Sequence, residues 1–181
     1  GIRPDGDGWS EEDNPNFSFR CPPCSFYSGT KALGEEVLEG AENCFVWRLR
    51  IPFNHEQSPR NYLQKILNYK NLLEAENSVS HLDEFAQKCL ECITKDVEPG
   101  IYNMTNSGSI TTRQVTEWMQ EQGLSDKQFS FFQSEDEFMN LAAKTPRSNC
   151  VLDTSKAEKA GIAMRPVEEA MIDSMQKMRL E

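Results

Sequence analysis

The sequence predicts an α/β fold, and three observations carry that expectation. Apolar residues recur at helical spacing in several stretches. Short β-branched and aromatic runs stand between those stretches, and Gly, Pro or Asn marks most of the junctions. Helices that alternate with short apolar strands belong to α/β domains. At 181 residues the chain suits one domain, or one and part of a second.

The elements follow in order. Gly1 to Gly8 lacks an initiator Met. With Asp5, Asp7, Glu11, Glu12 and Asp13 against Arg3 alone, residues 1–13 read as a solvated loop, and this opening fits a chain cut from a longer one. From Ser25 to Glu39, Ala32, Leu33, Val37 and Leu38 form one stripe of a helix that Gly40 stops. Asn43 to Ile51 is rich in β-formers and ends at Pro52, which predicts a strand. Pro59-Arg60-Asn61 starts a helix from Tyr62 to Tyr69, with Leu63, Ile66 and Leu67 on one face. Asp83 falls in the cap or first turn of a helix through Ile93. Gly100 to Thr105 reads as a short strand closed by Asn106-Ser107-Gly108. Thr111 or Thr112 caps a helix running to Gln122-Gly123, and Phe129 to Phe132 reads as a strand. Pro166 takes the first position of the last helix. Met164, Val167, Met171, Met175 and Met178 follow at three- and four-residue steps, the spacing of a core face.

Charge excludes some function classes. Lys and Arg number 19 against 29 Asp and Glu, a net −10, whereas nucleic-acid and anionic-membrane surfaces need clustered positive charge. No apolar run approaches the roughly 18 residues of a membrane span, and no apolar stretch follows a basic start. A soluble, cytoplasmic protein is expected.

Six cysteines include two CxxC pairs, Cys21/Cys24 and Cys89/Cys92, while Cys44 and Cys150 stand alone. A four-thiolate zinc site or a redox pair at Cys21/Cys24 would use that spacing. Cys89 and Cys92, however, share a helical stripe with Leu82, Phe85, Ala86 and Ile93, where small buried hydrophobes are expected. No metal site is predicted. His55 and His81 read as loop or cap residues.

Tyr27-Ser28-Gly29-Thr30-Lys31 sets a tyrosine and a lysine four residues apart near a helix start, hence on one face. A nearby ammonium stabilises tyrosinate, which makes the phenol a usable proton donor to an oxyanion. Spacing alone is met equally by a surface pair on an amphipathic helix.

Longer segments add to this pair. Phe26 to Glu36 is followed by Trp47-Arg48-Leu49-Arg50-Ile51-Pro52. Pro59 to Ile66, Gly100 to Asn106 and Arg147 to Lys156 come next in order. Together they resemble the extended short-chain dehydrogenase/reductases acting on nucleotide sugars. Within these they are similar to the dTDP-4-dehydrorhamnose reductases and to the UDP-4-keto-6-deoxyglucose 3,5-epimerase/4-reductases. The resemblance implies the C-terminal part of a Rossmann-like doubly wound sheet plus a small α/β substrate-binding domain. Residues 1–57 would be the second half of the cofactor domain and 58–181 mostly the substrate domain, with 76–106 returning to the sheet. The family's Gly-rich pyrophosphate turn has no counterpart here, and its Ser/Thr partner to the Tyr–Lys pair would lie upstream of residue 1.

The implied activity is reduction of a nucleotide-linked 4-keto-6-deoxyhexose by NADPH or NADH, with 3,5-epimerisation as an option. Tyr27 would protonate the C4 oxygen, and Lys31 would hold the nicotinamide ribose and tune Tyr27. Arg50, Ile51 and Pro52 would lie beside the cofactor. Asn61 would bind substrate, and Lys65 would be the acid for epimerisation or else a solvated helix lysine. Arg147 would meet the nucleotide diphosphate or a neighbouring acid. A homodimer is compatible with the resemblance. Two other classes stay open, a non-catalytic nucleotide-sugar-binding subunit and a CxxC redox or zinc protein.

Overall fold

The computed structural model describes residues 8–143, 145 and 147–180; the opening segment from Gly1 to Asp7, expected to be a loop, lies outside the described residues. Seven helices are described: α1 (Phe26–Val37), α2 (Tyr62–Asn68), α3 (Leu82–Thr94), α4 (Thr112–Glu121), α5 (Glu135–Leu141), α6 (Ser155–Lys159) and α7 (Val167–Leu180). Ten short strands alternate with them: β1 (Phe45–Arg48), β2 (Pro52–Phe53), β3 (Asn71–Leu72), β4 (Glu76–Asn77), β5 (Ser80–His81), β6 (Gly100–Asn103), β7 (Asn106–Ser107), β8 (Ile110–Thr111), β9 (Ser130–Phe131) and β10 (Met164–Pro166).

The pairing is mostly parallel, which requires the crossovers that the helices provide. Strand β1 runs beside β6, with Phe45 opposite Gly100 and Arg48 opposite Asn103. Beyond Arg48 the neighbour changes: Ser80 N donates to Arg50 O at 2.8 Å, and β2 pairs in parallel with β5. Asn106 N donates to Val79 O at 2.9 Å, which carries the lattice on to β7 and its parallel partner β10. Strands β3 and β9 are parallel, and β4 with β8 is the antiparallel exception among the described pairs.

Two apolar clusters hold this frame. In the larger, Phe53, Leu63, Ile66, Val115, Met119, Met171 and Met175 join β2, α2, α4 and α7. In the smaller, Cys92, Tyr102, Met104, Ala157 and Ile162 pack between α3, the β6 strand and α6. The methionine stripe is core, with Met171 and Met175 fully buried.

Local chemistry explains the element ends. Ser25 caps α1 by accepting from Ser28 N at 3.0 Å. Thr111 and Gln114 close a reciprocal capping box on α4. The strand expected from Asn43 to Ile51 shortens to Phe45–Arg48 because Asn43 (φ 54°) and Ile51 (φ 39°) are left-handed. Pro166 belongs to β10, so α7 starts one residue later. The reason is tertiary: Met164 and Pro166 lie opposite Asn106 and Ser107, which the sequence reads as a turn. Helix α5, which the apolar pattern does not announce, is capped by Ser134 and has Glu135, Asp136 and Glu137 in its first turn. Among the described residues no helix is long and apolar enough to cross a membrane.

Candidate active site

Helix α1 lies against the sheet with little buried surface, since Gly29 is its one buried residue. A Cβ at Gly29 would stand 2.4 Å from the Phe19 ring, so the missing side chain lets residues before the helix pack on it. Two ion pairs add to this: Arg20 Nη2 lies 2.7 Å from Glu36 Oε2, and Arg48 Nη2 of β1 lies 2.6 Å from Glu35 Oε2. This arrangement presents Tyr27 and Lys31 from the first turns of α1, with Lys31 Nζ 5.8 Å from the Tyr27 ring centre. Tyr27 is 70% exposed, so its hydroxyl is open to a ligand.

The pair opens onto a groove of about 1360 Å³. Its lining includes Tyr27 and Lys31 from α1, the run from Val46 to Pro52, the Arg147–Cys150 segment, and Asn14 to Phe17. Arg50, Ile51 and Pro52 follow the carboxyl end of β1 and lead into β2, where parallel sheets bind ligands. Ile51 is β-branched with φ 39°, a conformation costing about 1–3 kcal/mol. The surroundings impose it. Ser80 Oγ accepts from Arg50 N at 3.0 Å, Ser80 N donates to Arg50 O, and Pro52 is already paired in β2. The Arg50 guanidinium turns to Asn77 Oδ1 (2.8 Å) and Ser148 O (2.6 Å). Its Nε is buried and has no hydrogen-bond partner. Arg147 is exposed, with its guanidinium 5.8 Å from the Phe138 ring centre.

Six of the sequence candidates thus share one groove: Tyr27, Lys31, Arg50, Ile51, Pro52 and Arg147. Asn61 and Lys65 are not among its lining residues. Asn61 is buried and fully engaged. It accepts from Leu63 N at 3.1 Å to cap α2, and its Nδ2 donates to Asn54 O and Glu56 O, both at 2.8 Å. Lys65 is half-buried in α2. The Glu35–Arg48 pair and the Ser148–Asn149 stretch line the groove without having been singled out. Residues so far apart in sequence carry no local signal.

The other candidate groups have structural surroundings. Burial pushes the Cys89 thiol up to about 11 and raises Cys92 as well, which keeps both as unreactive thiols near neutrality. Cys21 is exposed and Cys24 half-buried. Among the described residues no three His, Cys, Asp or Glu side chains are grouped to hold a metal. His81 caps α3 through Nδ1, which accepts from Glu84 N at 3.3 Å.

Comparison with known proteins adds to the geometry. No family model matches the chain. It is 34% identical over 170 residues, 92% of its length, to a bifunctional dTDP-4-dehydrorhamnose 3,5-epimerase/dTDP-4-dehydrorhamnose reductase of Arabidopsis thaliana. The chain is a homologue of these nucleotide-sugar epimerase/reductases. It spans 53% of that relative, about half. The UDP-rhamnose synthase L780 of Acanthamoeba polyphaga mimivirus superposes with a TM-score of 0.84 at 24% identity, over 96% of this chain and 58% of that one. A dTDP-4-dehydrorhamnose reductase of Bacillus anthracis, solved in complex with NADP, gives 0.67 at 14% identity, over 95% of this chain and 63% of the other. Both likenesses are of fold, and the epimerase/reductase homologue has the Rossmann-like α/β architecture that its sequence predicts.

Proposed function

We propose that this chain supplies the proton-donating half of an NAD(P)H-dependent reductase acting on a nucleotide-linked 4-keto-6-deoxyhexose. The observation that carries it is the convergence of Tyr27, Lys31, the Arg50–Pro52 turn and Arg147 on one groove. Its volume, about 1360 Å³, exceeds the roughly 300–1,000 Å³ of a single-ligand pocket and leaves room for cofactor and substrate together. The donor set also fits a nicotinamide nucleotide: an ammonium for the ribose diol, and a backbone turn at a strand end for the ring. When bound, NADPH or NADH would supply the hydride.

The chain's own groups do the rest. As the C4 carbonyl carbon gains hydride, its oxygen gains negative charge and takes the Tyr27 hydroxyl proton. Lys31, one turn along, stabilises the tyrosinate that remains. The exposed ring then recovers a proton from water. Arg147 offers two parallel donors to the diphosphate, which suits a guanidinium. Lys65 serves the optional 3,5-epimerisation by returning a proton to a carbon next to the keto group after a base from the rest of the enzyme has removed one from the opposite face, and Asn61 shapes the α2 start on that side. The remainder of the cofactor site belongs to sequence that the longer relatives possess.

Within the same reading the protein works in the cytoplasm without nucleic acid. A second copy covers the apolar strip of Phe26, Leu33 and Val37, which α1 leaves 78, 49 and 76% exposed.

The test is Tyr27→Phe in the protein that carries this chain. It should lower ketone reduction about 10²–10⁴-fold, the scale of one general acid, with NADPH affinity unchanged. Reduction at the wild-type rate would overturn the assignment.

A further inference from the structure

We propose that Asn77 is a positioning residue that fixes the Arg147–Cys150 wall of the groove, and through it the cation that receives a nucleoside diphosphate. The inference rests on the nucleotide-sugar reading above. Asn77 is only 7% exposed and lies outside the groove lining, yet its side chain touches two residues of that wall and Arg50, which itself holds a third. Its Oδ1 accepts from Cys150 N at 3.0 Å, and also from Arg50 Nη2 at 2.8 Å. The same Arg50 nitrogen donates to Ser148 O at 2.6 Å. On its other side Asn77 Nδ2 donates to Asn149 Oδ1 at 3.3 Å. Next along, Ser78 N donates to Cys150 O at 3.0 Å, and Ser78 Oγ accepts from Leu152 N at 3.0 Å.

Residues 148–152 are therefore laid against 77–78 without forming a regular ladder. The Asn77 amide, with Ser78 beside it, does the work that ladder pairs would otherwise do. Only an amide suits the position, since it must accept twice at the oxygen and donate at the nitrogen. The consequence falls on Arg147, the next residue out. Its own guanidinium is exposed, so the reach of that cation into the groove depends on where the backbone at Ser148 is held. Preorganising a charged group before binding spares the cost of ordering it afterwards.

The test is titration of the protein that carries this chain with UDP as the diphosphate probe. Asn77→Ala and Arg147→Ala should each weaken UDP binding by roughly tenfold or more, the scale of one charge-assisted hydrogen bond. The double variant should be no weaker than either single one, because both changes remove the same contact. Full additivity, or a folded Asn77→Ala protein that binds UDP as wild type does, would overturn the proposal. Hydrogen exchange on the unmodified protein covers the case in which Asn77→Ala does not fold: UDP should slow exchange at the Ser148 to Leu152 amides, and unchanged exchange in the UDP-bound protein overturns the role. Absence of UDP binding to the unmodified protein is a separate result that sinks the nucleotide reading, and this proposal with it.

Discussion

Arg48 grips Glu35 at two points, joining β1 to α1: Nη2 lies 2.6 Å from Oε2, and Nε lies 3.0 and 3.1 Å from the two carboxylate oxygens. Both side chains line the groove that also receives Tyr27 and Lys31. Because α1 buries only Gly29, this planar pair carries an unusual share of the helix's orientation.

Arg48→Met should therefore lower stability by about 1 kcal/mol, more than an isolated surface pair provides. Urea unfolding measures it. An unchanged midpoint would mean that other contacts set the helix.

Asn61 offers a larger effect. Asn61→Ala removes the α2 cap and leaves the carbonyls of Asn54 and Glu56 without their shared donor. The expected loss is roughly 2 kcal/mol, from one cap and buried acceptors left unpaired. Asn61→Ser keeps a capping oxygen without setting a second acceptor against those carbonyls, so its loss should be intermediate. Equal losses for the two variants would show that the cap contributes nothing.

His81 ties stability to pH. Burial holds its imidazole below the ordinary histidine value, against the pull of Glu84 and Asp83. Its Nδ1 accepts from the Glu84 amide, which only an unprotonated nitrogen can do. The unfolded chain thus takes up the proton more readily than the folded one. This contribution is complete above a pH of about 6.5 and declines as pH falls below it toward the folded value. The urea midpoint should drop between pH 7.5 and 5.5, and drop less in His81→Asn, which keeps a capping oxygen. Parallel pH profiles would remove His81 from the account.

Lys65 separates a plain reductase from an epimerase/reductase. In the protein that carries this chain, Lys65→Met should spare reduction of an already epimerised ketone. It should also suppress solvent deuterium exchange at C3 or C5, which mass spectrometry reads. If deuterium enters as before, epimerisation belongs to other groups and Tyr27 and Lys31 remain as the reductive pair.

The sequence by itself determined whatever depends on neighbours along the chain. Ser25, Thr111 and the Leu63/Ile66 and Met171/Met175 stripes define their helices because capping and amphipathic burial act over three or four residues. The Tyr27–Lys31 pair is legible for the same reason, since one helical turn brings both to a single face. Tertiary structure alone decided what depends on distant partners. Asn106–Ser107 is a strand rather than a turn because Met164 and Pro166 lie beside it, and Ile51 is left-handed because Ser80 and β5 hold both of its flanks. Arg48 finds Glu35 across 13 residues, and Arg50 reaches Ser148 across 98. Such contacts form only once the chain has closed on itself, and their energy lies in geometry that no local window of sequence contains.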